Sequence, residues 1–182
     1  YSSEKNRLLY FLDKAVVLHL DQKFEASNKW LEAAKTASEE LWTESVREHA
    51  GALFTTDNAL SYAGEDFERV LIHLVASLNY MGLGDLGAAR VEARQVTNKL
   101  EAFNVQYPED SKNAYRDDAF ARWLSGKLAS TEGTYAGYND AWIDYRKSLK
   151  IFEQDYATRY KTVLPRLVVE DAFIALTKLG GD

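Results

Sequence analysis

Apolar residues recur at spacings of three and four along almost the whole chain. The clearest stripe consists of Phe67, Leu71, Leu74, Val75, Leu78 and Met81. This spacing is typical of one face of an α-helix, and no segment of useful length alternates as a half-buried strand does. The segments with helical spacing are residues 8–19, 26–37, 41–53, 67–81, 89–103, 119–128, 141–152 and 164–179. The pattern predicts an all-α fold of about eight or nine helices joined by short turns.

Three short stretches resemble the turn between the two helices of a tetratricopeptide repeat. Residues 84–89 read Gly-Asp-Leu-Gly-Ala-Ala, residues 138–145 read Tyr-Asn-Asp-Ala-Trp-Ile-Asp-Tyr, and residues 23–26 give a shorter version. In such hairpins a small alanine lets the helices approach closely, and each hairpin leaves an apolar face for its neighbour to cover. The copies are about sixty residues apart instead of about 34. We therefore expect tetratricopeptide-like stacked helical hairpins whose intervening repeats have lost the signature.

One break interrupts the helical pattern beyond the middle of the chain. Residues 107–111 read Tyr-Pro-Glu-Asp-Ser, a loop whose residue types favour the start of a following helix. A chain of 182 residues has the size of one domain or of two small ones. We expect a single helical domain over 1–182, with 1–106 and 112–182 as its possible sub-halves.

The composition excludes several classes of protein. The chain has no cysteine, so disulfides, thiolate metal sites and cysteine nucleophiles are ruled out. Its net charge of −6 argues against wholesale binding of nucleic acid. Its apolar runs are far shorter than the roughly 20 residues that span a bilayer. With 46% hydrophobic and 27% charged residues, the chain is expected to fold around a core.

No residue pattern points to catalysis. Residues 82–87 match G-x-G-x-x-G, but an amphipathic helix is predicted before them, where a dinucleotide-binding loop needs a strand. The histidines His19, His49 and His73 lack the spacing of metal ligands. No G-x-S-x-G nucleophile motif occurs either. We therefore expect no enzymatic activity and no cofactor, and we assign no catalytic or metal-binding residue.

Two arginines on the predicted fifth helix are candidate binding residues. Arg90 and Arg94 lie one helical turn apart, and like charges at this spacing are favourable only where carboxylates meet them. Glu68, with Glu65 and Asp66, begins the preceding helix and offers acidic partners. The pattern allows a structural ion-pair network or a binding site for an anionic group. We favour the network, because buried charges generally need partners within the fold.

A second set of candidate binding residues is apolar. By register with the turn at Gly84, the side chains of Leu74, Leu78 and Met81 are expected to face the inner groove of the helical array. An apolar groove left open to water is unfavourable, so either the chain's own terminal helix or a helix of a partner protein should fill it. The apolar stretch 164–176 suits that filler, and it suits a last capping helix equally well.

The chain has more aromatic residues than a minimal core requires, with 11 Tyr and 4 Trp. Tyr115 and Trp123 are the two that we select as candidate binding residues. Aromatic side chains are enriched in protein–protein contact surfaces, but they serve packing between helices equally well, and packing is our default interpretation for most of them. The group comprises Tyr62, Tyr115, Trp123, Tyr135, Tyr138 and Trp142.

Two longer stretches are more specific than the repeat signature. The first is residues 61–71 (Ser-Tyr-Ala-Gly-Glu-Asp-Phe-Glu-Arg-Val-Leu), followed by 78–80 and 89–94, and the second is residues 113–126 (Asn-Ala-Tyr-Arg-Asp-Asp-Ala-Phe-Ala-Arg-Trp-Leu-Ser-Gly). Together they resemble a largely uncharacterised family of bacterial exported lipoproteins with tetratricopeptide-like repeats. The resemblance covers most of the chain. In that family a lipid-bearing cysteine precedes the domain, and this chain begins at Tyr1 without one, as a trimmed product would.

The resemblance implies a location in the periplasm or at the outer membrane, with membrane attachment only through a lipid anchor absent from this chain. It also implies a role in assembling other envelope proteins, and no enzymatic activity. We therefore expect a non-catalytic protein–protein interaction or scaffold module of the bacterial envelope, whose partners are envelope proteins. The alternative is a receptor for a lipid or a peptidoglycan fragment, held in the groove of the helical array.

Overall fold

The computed structural model describes residues 6–51, 62, 64–106 and 117–180. These residues are helical apart from short connecting segments, and no strand occurs among them. The all-α prediction is therefore confirmed for the described part of the chain. The helices are α1 (Arg7–Leu20), α2 (Phe24–Gly51), α3 (Asp66–Gly82), α4 (Leu86–Gln106), α5 (Ala119–Ser130), α6 (Tyr135–Ile151) and α7 (Arg166–Lys178).

Helix α2 explains why the described residues hold seven long helices, fewer than the eight or nine expected. The periodicity predicted two helices here, over 26–37 and 41–53, whereas the chain forms one helix of 28 residues. Residues 36–41 (Thr-Ala-Ser-Glu-Glu-Leu) contain neither glycine nor proline, so nothing in them breaks the ladder of backbone hydrogen bonds. A shift in the register of apolar positions does not by itself end a helix.

The chain divides into two compact units, Tyr1–Asp85 and Leu86–Asp182. Unit 1 contains α1, α2 and α3, and unit 2 contains α4, α5, α6 and α7. The boundary falls at the turn predicted around Gly84, which has a φ of +77°. The predicted break at 107–111 lies outside the described residues, and the single domain with sub-halves meeting there stays a prediction.

In unit 1, α1 and α2 form a hairpin around residues 21–23, and α3 packs on α2. Helix α3 begins with a capping box in which Glu68 accepts a hydrogen bond from the Glu65 N–H at 2.9 Å. The close approach of α3 to α2 depends on Gly82, because a Cβ there would overlap the ring of Phe24. The buried core comprises Leu8, Ala15, Leu31, Ala34, Ala37, Leu41, Ile72 and Ala76.

A buried polar network joins the three helices of unit 1. The side chain of Asn79 on α3 is fully buried, and its Nδ2 donates to Ser27 Oγ at 2.9 Å and to Asn28 Oδ1 at 2.7 Å on α2. The Asn79 Oδ1 accepts from Nδ1–H of His19 on α1 at 2.7 Å. Ser27 Oγ donates to the carbonyl of Ala15 at 2.8 Å. Both polar atoms of the Asn79 amide thus have partners, as burial of an amide requires.

In unit 2, α5 and α6 form a closely packed hairpin, and α4 packs on α5. Gly126 of α5 lies against the ring of Tyr145 on α6, which is 1% exposed. Ala129 and Ala141 are buried in the same cluster. The sequence predicted a small alanine where the helices of a hairpin approach closely, and Ala141 is buried at that place in the α5–α6 hairpin.

Helix α6 does not stop at Ile151. It continues through a π-helical turn, Phe152–Tyr156, into Ala157–Arg159. Helix α7 then packs on α6 with Val168 and Ala172 buried, whereas Phe173 is 65% exposed. Leu167 and Ile174 are 50% and 51% exposed, so the outer face of α7 is apolar, and the role of the stretch 164–176 as filler or last cap stays a prediction.

Enlarging Gly126 is expected to loosen the α5–α6 hairpin. A Cβ at this position would lie 2.7 Å from the Tyr145 ring and 3.1 Å from the Ala141 carbonyl oxygen. Gly126→Ala gains about 1 kcal/mol of helix propensity, but overpacking against a buried ring costs about 1–3 kcal/mol. We expect a net loss of up to about 2 kcal/mol in the free energy of unfolding, measured by urea denaturation. The matched control is Gly133→Asn, at a turn glycine where a Cβ would meet nothing within 4 Å, and it should change the free energy of unfolding far less. A Gly126→Ala variant that is more stable than the original chain would contradict the close packing.

Candidate protein-binding groove

An apolar groove runs along unit 1 between α1 and α3, with α2 beneath it. Its volume is about 490 Å³. Leu31 of α2 and Ile72 of α3 are buried and form its floor. The lining residues are Leu9, Leu12, Asp13, Val16, Val17, Leu31, Phe67, Glu68, Leu71, Ile72 and Val75.

The groove exists because α1 and α3 each pack on α2 but make few contacts with each other. The two helices run parallel. Leu8 lies beside Gly64 at the N-terminal ends, and His19 is hydrogen-bonded to Asn79 at the C-terminal ends. The space left between two such helices above a third is one that an additional helix would fill, because it would contact both walls at once.

The walls of the groove expose a contiguous set of apolar side chains. On α3, Phe67 and Leu71 are 46% and 43% exposed, and on α1, Val16 and Val17 are 41% and 63% exposed. Single exposed apolar residues are ordinary, but a contiguous set along a concave surface marks an interaction site. The spacing of four residues between Phe67 and Leu71 suits a helix lying along the groove.

Both charged side chains that line the groove are carboxylates. Asp13 is exposed on α1, and no cation of the described residues pairs with it. Glu68 on α3 accepts from the Glu65 N–H and from the hydroxyl of Tyr62. Burial and the Glu68 carboxylate raise the pKa of Tyr62 to about 12, so its hydroxyl remains a donor at neutral pH. The walls of the groove are therefore negatively charged.

The apolar residues predicted to face a groove lie on α3 as expected. Leu74 and Leu78 are half-buried, and Met81 is 36% exposed. Leu78 and Met81 lie about one and two turns beyond Val75, the last groove-lining residue of α3, and neither they nor Leu74 line the groove. Their part in binding stays a prediction. Glu68, which the sequence offered as an ion-pair partner, lines the groove.

Arg90 and Arg94 lie on α4 in unit 2. Arg94 Nη2 is 3.1 Å from Asp140 Oδ2, and Arg90 forms ion pairs with the same Asp140 and with Glu132. These carboxylates are different from the acids at 65–68 that the sequence offered as partners. The geometry supports the structural ion-pair network, because both arginines are tied to the α5–α6 hairpin of their own unit.

Of the two candidate aromatic residues, Trp123 is half-buried in unit 2 and Tyr115 lies outside the described residues. Trp123 Nε1–H donates to Asp171 Oδ2 at 2.8 Å, and Lys127 Nζ donates to Asp171 Oδ1 at 2.6 Å. The Trp123 ring packs against two of the buried clusters of unit 2. Packing between helices, the default interpretation, accounts for these contacts.

A second groove, in unit 2, is polar and has a volume of about 610 Å³. Arg122 lines it and is 5% exposed; its Nε donates to both oxygens of Asp117, at 2.9 and 3.0 Å. Its Nη2 donates to Glu101 at 3.1 Å and its Nη1 to Asp144 at 3.4 Å. Burial lowers the pKa of Arg122, but the three carboxylates outweigh burial and raise it. The guanidinium is thus permanently charged and already paired, which is a structural arrangement.

The sequence reasoning missed the α1 wall of the groove. The stripe over 8–19 already contains Leu12 and Val16, which line the groove, but the pattern gives no reason to select them as binding residues. Leu9 and Val17 also line the groove and lie beside that stripe. The signal was present, since α1 carries apolar residues on more than the one face that a surface helix needs.

Neither metal-binding nor membrane-spanning features occur in the described part of the chain. No group of three or more His, Asp or Glu side chains there is arranged to hold a metal ion. No helix among these residues is both long enough and apolar enough to cross a membrane. A scan against protein-family models and searches of curated proteins and of solved structures found no match to this chain.

Proposed function

We propose that the chain is a non-catalytic protein-binding module of the bacterial envelope, and that the groove between α1 and α3 receives a helix of a partner protein. The observation that carries the proposal is the contiguous exposure of Phe67, Leu71, Val16 and Val17 along an apolar groove of about 490 Å³. Such a surface is costly in water and gains free energy when an apolar partner covers it.

The finer fold assignment, tetratricopeptide-like hairpins, belongs to the same proposal. Its supports are the turn at Gly84 and the α5–α6 hairpin, where Ala141 and Tyr145 occupy the small and aromatic positions of the repeat. Arrays of such hairpins expose surfaces that bind extended or helical segments of other proteins. Such an architecture supports the proposed scaffold role.

The envelope location, in the periplasm or at the outer membrane, and the envelope proteins as partners rest on the resemblance of residues 61–71 and 113–126 to exported lipoproteins. A lipid anchor preceding the chain would hold the module at the membrane. The net charge of −6 favours protein partners over nucleic acid.

A partner helix suits the groove better than a lipid or a peptidoglycan fragment. An acyl chain gains most from an enclosed cavity that hides most of its surface, whereas here four lining side chains are more than 40% exposed. The carboxylates of Asp13 and Glu68 would also oppose the acidic groups of both alternative ligands.

Photo-crosslinking in the envelope of the source bacterium tests the proposal. A benzoylphenylalanine at Leu71 lies in the groove wall, and one at Lys29, exposed on α2, serves as the matched control. We expect a discrete protein adduct from position 71 that is absent from position 29. A parallel thermal-shift panel covers envelope lipids and muropeptides, in which a ligand at 100 times its dissociation constant adds about 2.7 kcal/mol of stability. A flat crosslink profile together with a stabilising lipid or muropeptide would overturn the proposal in favour of a small-molecule receptor.

Polar substitution of the groove walls is expected to remove binding while the fold persists. Val16→Gln combined with Leu71→Gln replaces two side chains that are already 41% and 43% exposed, so the free energy of unfolding should fall by no more than about 1 kcal/mol. Formation of the adduct should fall at least about tenfold, because a buried apolar anchor would be lost. In this test the benzoylphenylalanine replaces Phe67, which lies on the α3 wall of the groove.

Leu74→Gln and Leu78→Gln in the same assay test the residues that the sequence predicted. We expect loss of the adduct with retention of the helical circular dichroism spectrum. Unfolding of these two variants would show that Leu74 and Leu78 belong to the core and would remove them from the binding site, and an undiminished adduct in all the variants would place the partner elsewhere.

A further inference from the structure

We propose that the segment bound in the groove between α1 and α3 is a positively charged amphipathic helix of two to three turns. This inference rests on the proposed function, since it names the chemical class of the segment that the same groove would receive. It draws on the dimensions of the walls and on the sign of their charges.

The length of the walls sets the length of the bound helix. The lining residues of α1 run from Leu9 to Val17, and those of α3 from Phe67 to Val75. Each wall therefore spans nine residues, about 12 Å at the rise of an α-helix. A segment of two to three turns matches this span, with apolar residues at i, i+3 or i+4, and i+7 facing the floor formed by Leu31.

The charges of the walls set the charge of the bound helix. Asp13 on α1 and Glu68 on α3 are the charged side chains that line the groove, and they stand on opposite walls. A helix seated between them therefore meets a carboxylate on each flank. Lys14 does not line the groove; it lines an adjoining shallow surface of α1 together with Tyr10, Asp13 and Val17. Lysine or arginine at the flanking positions of the bound helix would complement both walls.

The test uses two synthetic helices that differ only in charge. Both are hydrocarbon-stapled, fluorescein-labelled peptides of about 11 residues with leucines at i, i+3, i+4 and i+7. One carries lysine and the other glutamate at the flanking positions. Fluorescence anisotropy with the full chain at low salt should give a dissociation constant at least about tenfold lower for the lysine peptide. Raising the ionic strength should narrow that difference.

The variant pair isolates the wall carboxylates from the overall negative charge. Asp13→Asn/Glu68→Gln neutralises both walls, and glutamine at 68 still accepts the capping hydrogen bond. Glu25→Gln/Glu32→Gln removes the same charge from exposed positions on α2. We expect the first variant to raise the dissociation constant of the lysine peptide about fivefold, because two partly exposed charge pairs are lost. The second variant should change that dissociation constant by less than about twofold. Asp13→Asn alone should raise the dissociation constant about half as much on a logarithmic scale. This single variant replaces the double variant in the test if the double variant fails to fold.

Each other outcome overturns a defined part of the proposal. Equal affinities for the two peptides, or equal effects of the two charge variants, would refute the positive charge of the bound helix. If Val16→Gln/Leu71→Gln still abolished peptide binding in that case, the proposed function would stand. Peptide binding that is insensitive to Val16→Gln/Leu71→Gln would refute the groove itself. Binding of phosphatidylglycerol vesicles that this groove variant abolishes would replace the helix by a lipid surface.

Discussion

Replacing Arg122 by methionine is expected to lower the free energy of unfolding of unit 2 by about 3 kcal/mol. The substitution keeps the volume and the apolar stem of the side chain, so little packing is lost. What it removes is a cation that pairs with all three carboxylates, Asp117, Asp144 and Glu101. The side chains of Asp117 and Asp144 are only 28% and 19% exposed, so water does not fully replace the guanidinium. The cost is of the size seen when one partner of a buried pair is deleted.

The geometry of the guanidinium also matters in this cluster. Arg122 donates through three of its nitrogens in three directions, and the compact ammonium of lysine does not reproduce that fork. We therefore expect Arg122→Lys to recover only part of the loss. Arg166→Met is the matched control, because the Arg166–Glu170 pair on α7 is exposed and worth less than about 1 kcal/mol.

Urea denaturation should be read from a probe in unit 2. The chain has 4 tryptophans, and replacing Trp30 and Trp42 by phenylalanine leaves Trp123 and Trp142, both in Leu86–Asp182, as fluorescent reporters. If Arg122→Met and Arg166→Met shift the midpoint equally in this background, Arg122 is no more important than a surface arginine, and the shared-cation interpretation is wrong.

The helices were predictable because their signal is local. The spacing of Leu71, Leu74 and Leu78 fixes a helix without knowledge of any other segment. The positive φ of Gly84 and the tight packing at Ala141 also follow from residue types within a few positions. The sequence pattern predicts a break inside α2 that the structure does not have, because a change in the register of apolar positions resembles the end of a helix.

The partners of charged residues were not predictable for the opposite reason. Arg90 is paired with Asp140, 50 residues away, and nothing within one helical turn of either residue indicates the other. The groove was not predictable from the sequence for the same reason. Val16 and Phe67 become two walls of one site only because α1 and α3 stand apart on α2, a distance that no local spacing encodes.

Replacing Asn79 by alanine is expected to lower the free energy of unfolding of unit 1 by about 3 kcal/mol. The substitution removes the acceptor of His19 Nδ1–H and the donor to Ser27 Oγ and Asn28 Oδ1 in a single step. Ser27 is fully buried, so its hydroxyl loses a partner where water cannot readily enter, whereas His19 and Asn28 are half-buried. Each buried polar group left unsatisfied costs about 1–3 kcal/mol, and the space vacated by the amide adds to the loss.

A graded series distinguishes this network from ordinary packing. Ser27→Ala removes the bonds to Asn79 and to the Ala15 carbonyl from a fully buried position, whereas Asn28→Ala removes one bond from a half-buried position that water reaches. We expect losses in the order Asn79→Ala, Ser27→Ala, Asn28→Ala, measured by urea denaturation with Trp123 and Trp142 replaced by phenylalanine. Equal losses for Asn79→Ala and Asn28→Ala, which remove the same side-chain atoms, with a smaller loss for Ser27→Ala would mean that removed volume decides the outcome. A loss below about 1 kcal/mol for Asn79→Ala would mean that α1, α2 and α3 are held together by their apolar contacts alone.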